Sequence, residues 1–272
     1  MPYMQTADGT RIFYRDWGQG RAVVFLASAG ISCDIWQYQM AHISETARCV
    51  GYDRRGHGRS DDPGRGYEYD TLADDLAALI TKLDLHDVTL VGHSMAGGEI
   101  VRYLTRHGDD RIAGAVLVAV TLPYPLQTGD NPTGVEPARV EATRAGWRHD
   151  WPLWLEQGAP GFFGEQLPIP RVSKLLADRL IHDMAGTSLR AVLDCSVTVF
   201  ETDFREELAT VRVPTLVIHG DRDVSTPIES SGRRAAALIP GCELKVYENA
   251  PHGLMFTHTD QLNGDLDAFV SR

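Results

Sequence analysis

The chain has 272 residues, 43% hydrophobic and 23% charged, with a formal net charge of −11. That length suffices for one large core, and no apolar run approaches the ~20 residues of a membrane span. Lys and Arg are scattered apart from the short DRRGHGR stretch, Asp53 to Arg59, so nothing in the composition supplies a basic face for nucleic acid.

The opening MPYMQTADGTRIFYRDW lacks the basic-then-apolar order of a secretion signal. From there to Val120 strand-like and helix-like runs alternate. RAVVFLA (Arg21 to Ala27), ARCVGYD (Ala47 to Asp53), DVTLVG (Asp87 to Gly92) and IAGAVLVAV (Ile112 to Val120) have the apolar, β-branched character of buried parallel strands. Between the second and third lies DTLADDLAALITKLDL. Leu72, Leu76, Leu79, Ile80 and Leu83 recur there at helical spacing, and the early pair Asp74 and Asp75 is expected on a solvated face. Alternating β and α elements predict a mainly parallel sheet covered by helices on both faces.

After Val120 the rhythm breaks. Residues 121–210 are rich in Pro, Gly, Trp and Phe and hold helical stretches such as RVSKLLADRLIHDM. PTLVIHGD, SSGRRAAALI, CELKVYEN and DQLNGDLDAFV then restore the alternation. The expected organisation is a single α/β unit, with a core of residues 1–120 and 211–272 and a helical lid of residues 121–210 over the strand ends.

The four cysteines, Cys33, Cys49, Cys195 and Cys242, are far apart, with no CxxC pair and no metal-like cluster with His. Reduced, mostly buried thiols and a cytoplasmic location are expected. Homo-oligomerisation is left open.

The chemistry concentrates in LVGHSMAGGE, Leu90 to Glu99. Gly92-His93-Ser94-Met95-Ala96 fits the nucleophile elbow G-x-S-x-G with one change. The positions two before and two after the serine crowd the neighbouring elements, and Ala96 brings only the smallest Cβ. The turn would hold the Ser94 hydroxyl out, with the Met95 N–H and the helix N-terminus facing a developing oxyanion. A serine needs a base to take its proton. Of ten histidines, His252 stands apart, in a loop after a late strand and before the last helix. His57 is expected to shape the RGHGRS turn, while His93 is locked in the elbow and His219 ends a strand. VIHGDRDVSTP offers two acids for orienting the imidazole, Asp221 and Asp223. Asp223 is favoured, because the first acid of such a turn commonly caps the backbone. The order Ser94, Asp223, His252 is that of a known hydrolase arrangement.

At this point the chain resembles the α/β-hydrolase superfamily, and closely the bacterial arylesterases of the cofactor-free haloperoxidase, or perhydrolase, type. The segments that carry the likeness are DGTRIFYRDWG, YDRRGHGRSD, YDTLADDLAALI, LVGHSMAGGE, ETDFR, PTLVIHGDRD and LKVYENAPHG. The resemblance implies the α/β-hydrolase fold, with a mainly parallel eight-stranded sheet flanked by helices and a helical lid. It supports Asp223, since the second Asp of the G-D-x-D turn is the family's catalytic acid. It also places the second oxyanion N–H after the third strand. There the family has His-Gly and a bulky residue, whereas this chain has Ala27, Ser28 and Ala29. Ser28-Ala29-Gly30 looks more like the Ser-x-Gly of enol-lactone hydrolases. The Ala29 N–H can still donate, and the small side chains predict more room beside Ser94.

The expected function is hydrolysis of a small carboxylic ester without metal or cofactor, with perhydrolysis or acyl transfer as variants. Trp151, Trp154, Phe162, Phe163 and Phe200 are candidates for an apolar substrate pocket, with Ser28 and Val224 beside the loop and the acid. A lactonase or lactamase on the same residues, and a non-catalytic small-molecule-binding protein on the same fold, are the alternatives.

Overall fold

A computed structural model describes residues 2–272. Eight strands form one sheet: β1 (Tyr3–Gln5), β2 (Arg11–Trp17), β3 (Ala22–Leu26), β4 (Arg48–Tyr52), β5 (Val88–His93), β6 (Ile112–Val118), β7 (Thr215–Gly220) and β8 (Glu243–Tyr247). Their spatial order is β1-β2-β4-β3-β5-β6-β7-β8. Strands β3 to β8 are mutually parallel, and β2 runs antiparallel to both its neighbours.

Both faces of the sheet are covered, and the strand sequences show why. In β3, Val24 and Leu26 enter one apolar cluster while Val23 and Phe25 enter the other. The same alternation separates Leu90 from Val91 in β5 and Val217 from Leu216 and Ile218 in β7. A two-residue period with apolar groups on both faces is what a central parallel strand requires. One cluster is closed by α2 (Tyr69–Lys82) and α3 (Ala96–His107), and the other by α1 (Gln37–Ile43) and α10 (Thr259–Val270). On α2 the buried stripe is Leu72, Leu76, Leu79 and Ile80, each contributing about 1.5–3 kcal/mol on burial.

Asp75 corrects the expectation for α2. Asp74 faces solvent and pairs with Arg106, but Asp75 is buried and its two oxygens accept hydrogen bonds from Arg55 at 2.7 and 2.8 Å. Hydropathy periodicity cannot show a carboxylate turned inward, because the partner that makes it tolerable lies 20 residues away in another loop.

The segment between β6 and β7 carries α4 (Pro137–Phe163, kinked at Asp150), α5 (Lys174–Ala185), α6 (Leu189–Glu201) and α7 (Arg205–Leu208). The first three pack on one another as a cap, whereas α7 lies against α3 and α8 (Gly232–Leu238) of the core. Helix α5 starts where Ser173 accepts a hydrogen bond from the Leu176 N–H, the cap a serine at that position supplies. The four cysteines are free thiols, three buried and Cys242 partly so. No helix among the described residues is long and apolar enough to cross a membrane.

Candidate active site

Ser94 sits between the last residue of β5 and the first residue of α3, with φ of +57°. This left-handed conformation costs a non-glycine residue about 1–3 kcal/mol and persists only where its surroundings enforce it. They do: the Ser94 N–H donates to Val118 O at 2.9 Å and its carbonyl accepts the Gly97 N–H at 3.2 Å. Packing explains the small neighbours. A Cβ on Gly92 would lie 2.7 Å from Ile100 Cδ1 and 3.1 Å from Ala96 O; one on Gly97 would strike Val120, and one on Gly98 the ring of Tyr69. Ala96 is fully buried in this contact, so its methyl fits where the pattern has glycine.

His252 lies in the loop between β8 and α9 (Leu254–Thr257), 5% exposed, and its Nδ1 is 2.7 Å from Asp223 Oδ2. Asp223 is buried, and its Oδ1 accepts the N–H groups of Ser225 and Thr226 at 2.9 and 2.8 Å. The structure brings Asp223 and not Asp221 to His252, but the reason for preferring it does not hold: Asp223 itself caps the turn with one oxygen and meets His252 with the other, whereas Asp221 is exposed. Burial opposes the Asp223 charge, but His252 and His219 together hold the carboxyl well below the usual carboxylate range. A carboxylate on Nδ1 fixes the tautomer that leaves Nε2 as the basic nitrogen.

Three side chains brace this pair that sequence reasoning did not assign to it. Thr226 Oγ1 lies 2.9 Å from Asp223 Oδ2 and 3.3 Å from His252 Nδ1. His219, at the end of β7 and fully buried, has Nε2 2.8 Å from Thr226 O and 3.3 Å from Asp223 Oδ2. His93 packs its ring on that of His252, and its Nε2 donates to the His252 carbonyl at 3.1 Å. Burial, with His252 beside it, pushes the His93 pKa well below the usual imidazole value. The signal for His93 and His219 was present, since each sits at the carboxyl end of a central strand, but nothing in the sequence says which strand ends meet.

The loop after β3 runs Ala27-Ser28-Ala29-Gly30. Neither the Ala29 nor the Met95 N–H has a hydrogen-bond partner among the described residues, so both are free to donate. Ser28 is half-buried, and its hydroxyl turns to Ala29 O at 3.3 Å. The room left by these small side chains is taken up in part by the cap: a Cβ on Gly30 would lie 3.5 Å from the Trp151 ring and 3.6 Å from Met184. The cap is also tied down here. Thr187 Oγ1 donates to Gly30 O at 2.9 Å, and Ser32 Oγ to Asp183 at 2.7 Å.

The aromatic candidates separate on inspection. The Phe162 ring meets those of His252 and His93 edge-on at 5.7 and 6.5 Å, and its carbonyl accepts the Gly253 N–H at 2.9 Å. Trp151 covers the loop after β3 with its indole N–H on Met184 O. Trp154 stacks on the outer side of Trp151 and is 38% exposed. Phe163 is buried in the apolar cluster that seats the cap on the core, its ring edge-on to Phe162 at 4.9 Å. Val224 is 62% exposed and touches the cap at Gly161, on the rim. Phe200 is half-buried near the end of α6, and the structure does not bring its ring to His252 or His93.

Comparison with known proteins agrees with this architecture. Residues 23–265 match the profile described as "Alpha/beta hydrolase family". A non-heme chloroperoxidase, CPO-A1 of Kitasatospora aureofaciens, is 40% identical, with 100% of both chains covered. The bifunctional esterase/perhydrolase DCH of Acinetobacter calcoaceticus is 35% identical, with 99% of each covered. The crystal structure of a bromoperoxidase from Bacillus anthracis superposes with a TM-score of 0.93 at 36% identity over 100% of both chains. With an eight-stranded, mostly parallel sheet and full-length relatives that include haloperoxidases and an esterase/perhydrolase, this chain is a hydrolase that belongs to the α/β-hydrolase family.

Proposed function

We propose that the protein is a serine hydrolase of small carboxylic esters, acting through an acyl-enzyme on Ser94. The observation that carries this reading is the 2.7 Å contact between His252 Nδ1 and Asp223 Oδ2, with His93, the residue before the serine held at φ +57°, packed on the imidazole at 4.5 Å. Ser94 Oγ attacks the ester carbonyl carbon as its proton passes to His252 Nε2. The carbonyl oxygen gains the charge and is met by the Met95 and Ala29 N–H groups. Collapse of the tetrahedral intermediate breaks the bond to the alcohol or phenol, which leaves with the proton from His252. Water then gives a proton to His252 and attacks the acyl carbon, and the acid is released as Ser94 recovers its hydrogen.

Perhydrolysis is the second reading, supported by relatives named as haloperoxidases and as an esterase/perhydrolase. Hydrogen peroxide takes the place of water in the last step, and a peracid is released. Phe162 and Trp151 give the acyl group apolar walls in either case.

The experiment is hydrolysis of nitrophenyl acetate, butyrate and octanoate by wild type and Ser94→Ala, with and without hydrogen peroxide. Turnover lost in the variant supports the acyl-enzyme, and peracid formed only with peroxide supports the second reading. An inert wild type would leave a small-molecule-binding protein as the better account, and an equally active variant would take the chemistry away from Ser94.

A further inference from the structure

The DRRGHGR stretch contributes no group to the mechanism above, yet four of its residues are among the most buried charged or polar side chains of the chain: Asp53 is 0% exposed, Arg55 and His57 1% and Arg54 3%, and His57 bonds within its own turn to Arg55 O. Arg55 is accounted for by Asp75 and Asp8. Asp53 accepts the Cys33 N–H at 2.8 Å and the Arg59 guanidinium at 2.7 Å, which closes the loop on itself. Arg54 points elsewhere. Its Nη1 donates to Ser28 O at 2.9 Å and its Nη2 to Ala27 O at 2.8 Å. Its Nε donates to Glu99 Oε1 at 2.5 Å, and Glu99, fully buried in the first turn of α3, also accepts the Tyr52 hydroxyl at 3.0 Å.

The peptide between Ser28 and Ala29 is trans, and in a trans peptide the C=O and N–H of one rigid plane point in opposite directions. A guanidinium fixed on the Ser28 carbonyl therefore fixes where the Ala29 N–H points, away from Arg54. The second bond, to Ala27 O, holds the preceding plane, so the loop cannot rotate about one peptide alone. Glu99 lies five residues after Ser94 on the helix that starts beside Met95. One buried ion pair thus links the loop bearing one oxyanion donor to the helix bearing the other.

We propose that Arg54 is the positioning residue of the oxyanion hole, aligning the Ala29 N–H through the Ser28 carbonyl and holding it in register with Met95 through Glu99. This rests on the serine-hydrolase reading. A cation on the carbonyl also polarises that amide and strengthens its N–H as a donor. Arg suits the task where Lys does not, because the planar fork reaches two carbonyls and a carboxylate at once.

The test compares a nitrophenyl ester with its thionoester, whose sulfur is a weak hydrogen-bond acceptor and draws little on the oxyanion hole. The variants are Arg54→Lys and the double variant Arg54→Met with Glu99→Leu, which removes both charges and leaves none buried alone. The expected result for the double variant is a fall of about 100-fold in kcat on the oxygen ester, the scale of one lost oxyanion donor. KM stays within about twofold, and turnover of the thionoester changes by no more than about threefold. Arg54→Lys falls between wild type and the double variant on the same ratio. An unchanged ratio of the two esters in the double variant would overturn the proposal: equal losses on both would leave Arg54 a fold-stabilising residue, and no loss on either would leave it without any role in catalysis. Wild type and Ser94→Ala are run alongside. Equal activity in those two defeats the serine-hydrolase reading, whereas an inactive Ser94→Ala with an unchanged ester ratio in the Arg54 variants defeats only the role of Arg54.

Discussion

His93 and His252 lie with ring centroids 4.5 Å apart, and His93 Nε2 donates to the His252 carbonyl at 3.1 Å. The residue before the candidate nucleophile thus holds the backbone of the candidate base, 159 positions away. His93→Phe fills the site but leaves the His252 carbonyl without its donor. A loss of about 1–3 kcal/mol is expected in urea unfolding, the cost of an unsatisfied buried acceptor. His93→Gln, whose amide nitrogen can take the place of Nε2, recovers part of it. Equal stabilities for the two variants would show that the hydrogen bond contributes nothing.

Asp223→Asn should lower kcat by about 10⁴, with KM changed little, because an amide on Nδ1 favours the wrong imidazole tautomer. Asp221→Asn, at an exposed site, should stay within about twofold of wild type. Steady-state kinetics on nitrophenyl butyrate decides between them, and a large loss in Asp221→Asn would reassign the acid.

Phe162→Ala removes the ring that meets His252 edge-on at 5.7 Å. The ratio of kcat/KM for octanoate over acetate should rise at least about tenfold, the scale on which apolar pockets discriminate added methylenes. An unchanged chain-length profile would place the acyl group elsewhere.

His57 links the RGHGRS turn to acid lability. It is buried with Nδ1 2.8 Å from Arg55 O, and burial together with Arg54 pushes its pKa down to about 3. In the unfolded chain it titrates near ~6.5. Between those values only the unfolded state binds the proton, so stability rises with pH. This contribution is complete above the unfolded value and is lost at about 1.4 kcal/mol per unit as pH falls toward about 3. His57→Asn keeps a donor where Nδ1 stood and cannot titrate. Its stability between pH 4.5 and 6.5 should fall less steeply by about one proton, as read from urea unfolding at a series of pH values. Parallel profiles would mean that His57 is protonated in the fold.

Gly92→Ala places a methyl 2.7 Å from Ile100 Cδ1 and should cost about 1–3 kcal/mol. Adding Ile100→Val removes that carbon and should restore part of the loss, with the contact to Ala96 O at 3.1 Å remaining. Thermal unfolding of the three proteins measures the coupling; additive losses would show that the two positions do not meet.

The sequence by itself determined the elements whose code is local. Strands β3 to β8 and helices α2, α5, α8 and α10 fall within a few residues of their apolar runs, because period and capping are short-range properties. The antiparallel edge of β1 and β2 was not visible, since a half-buried strand at the margin has no full apolar run. Ser94, Asp223 and His252 were legible through the tight turns that carry them, where glycine, alanine and proline restrict the backbone. What only the tertiary structure decided is everything that depends on strand order. It sets β8 beside β7 and so brings His252 to Asp223, and it lays His93 from the end of β5 against His252. It turns Asp75 inward to Arg55 and folds Phe162 of the cap over His252. It also lays Arg54, from the end of β4, across the loop after β3. A buried charge is stable only where its partners converge, and that convergence is a property of the assembled sheet rather than of any stretch of chain.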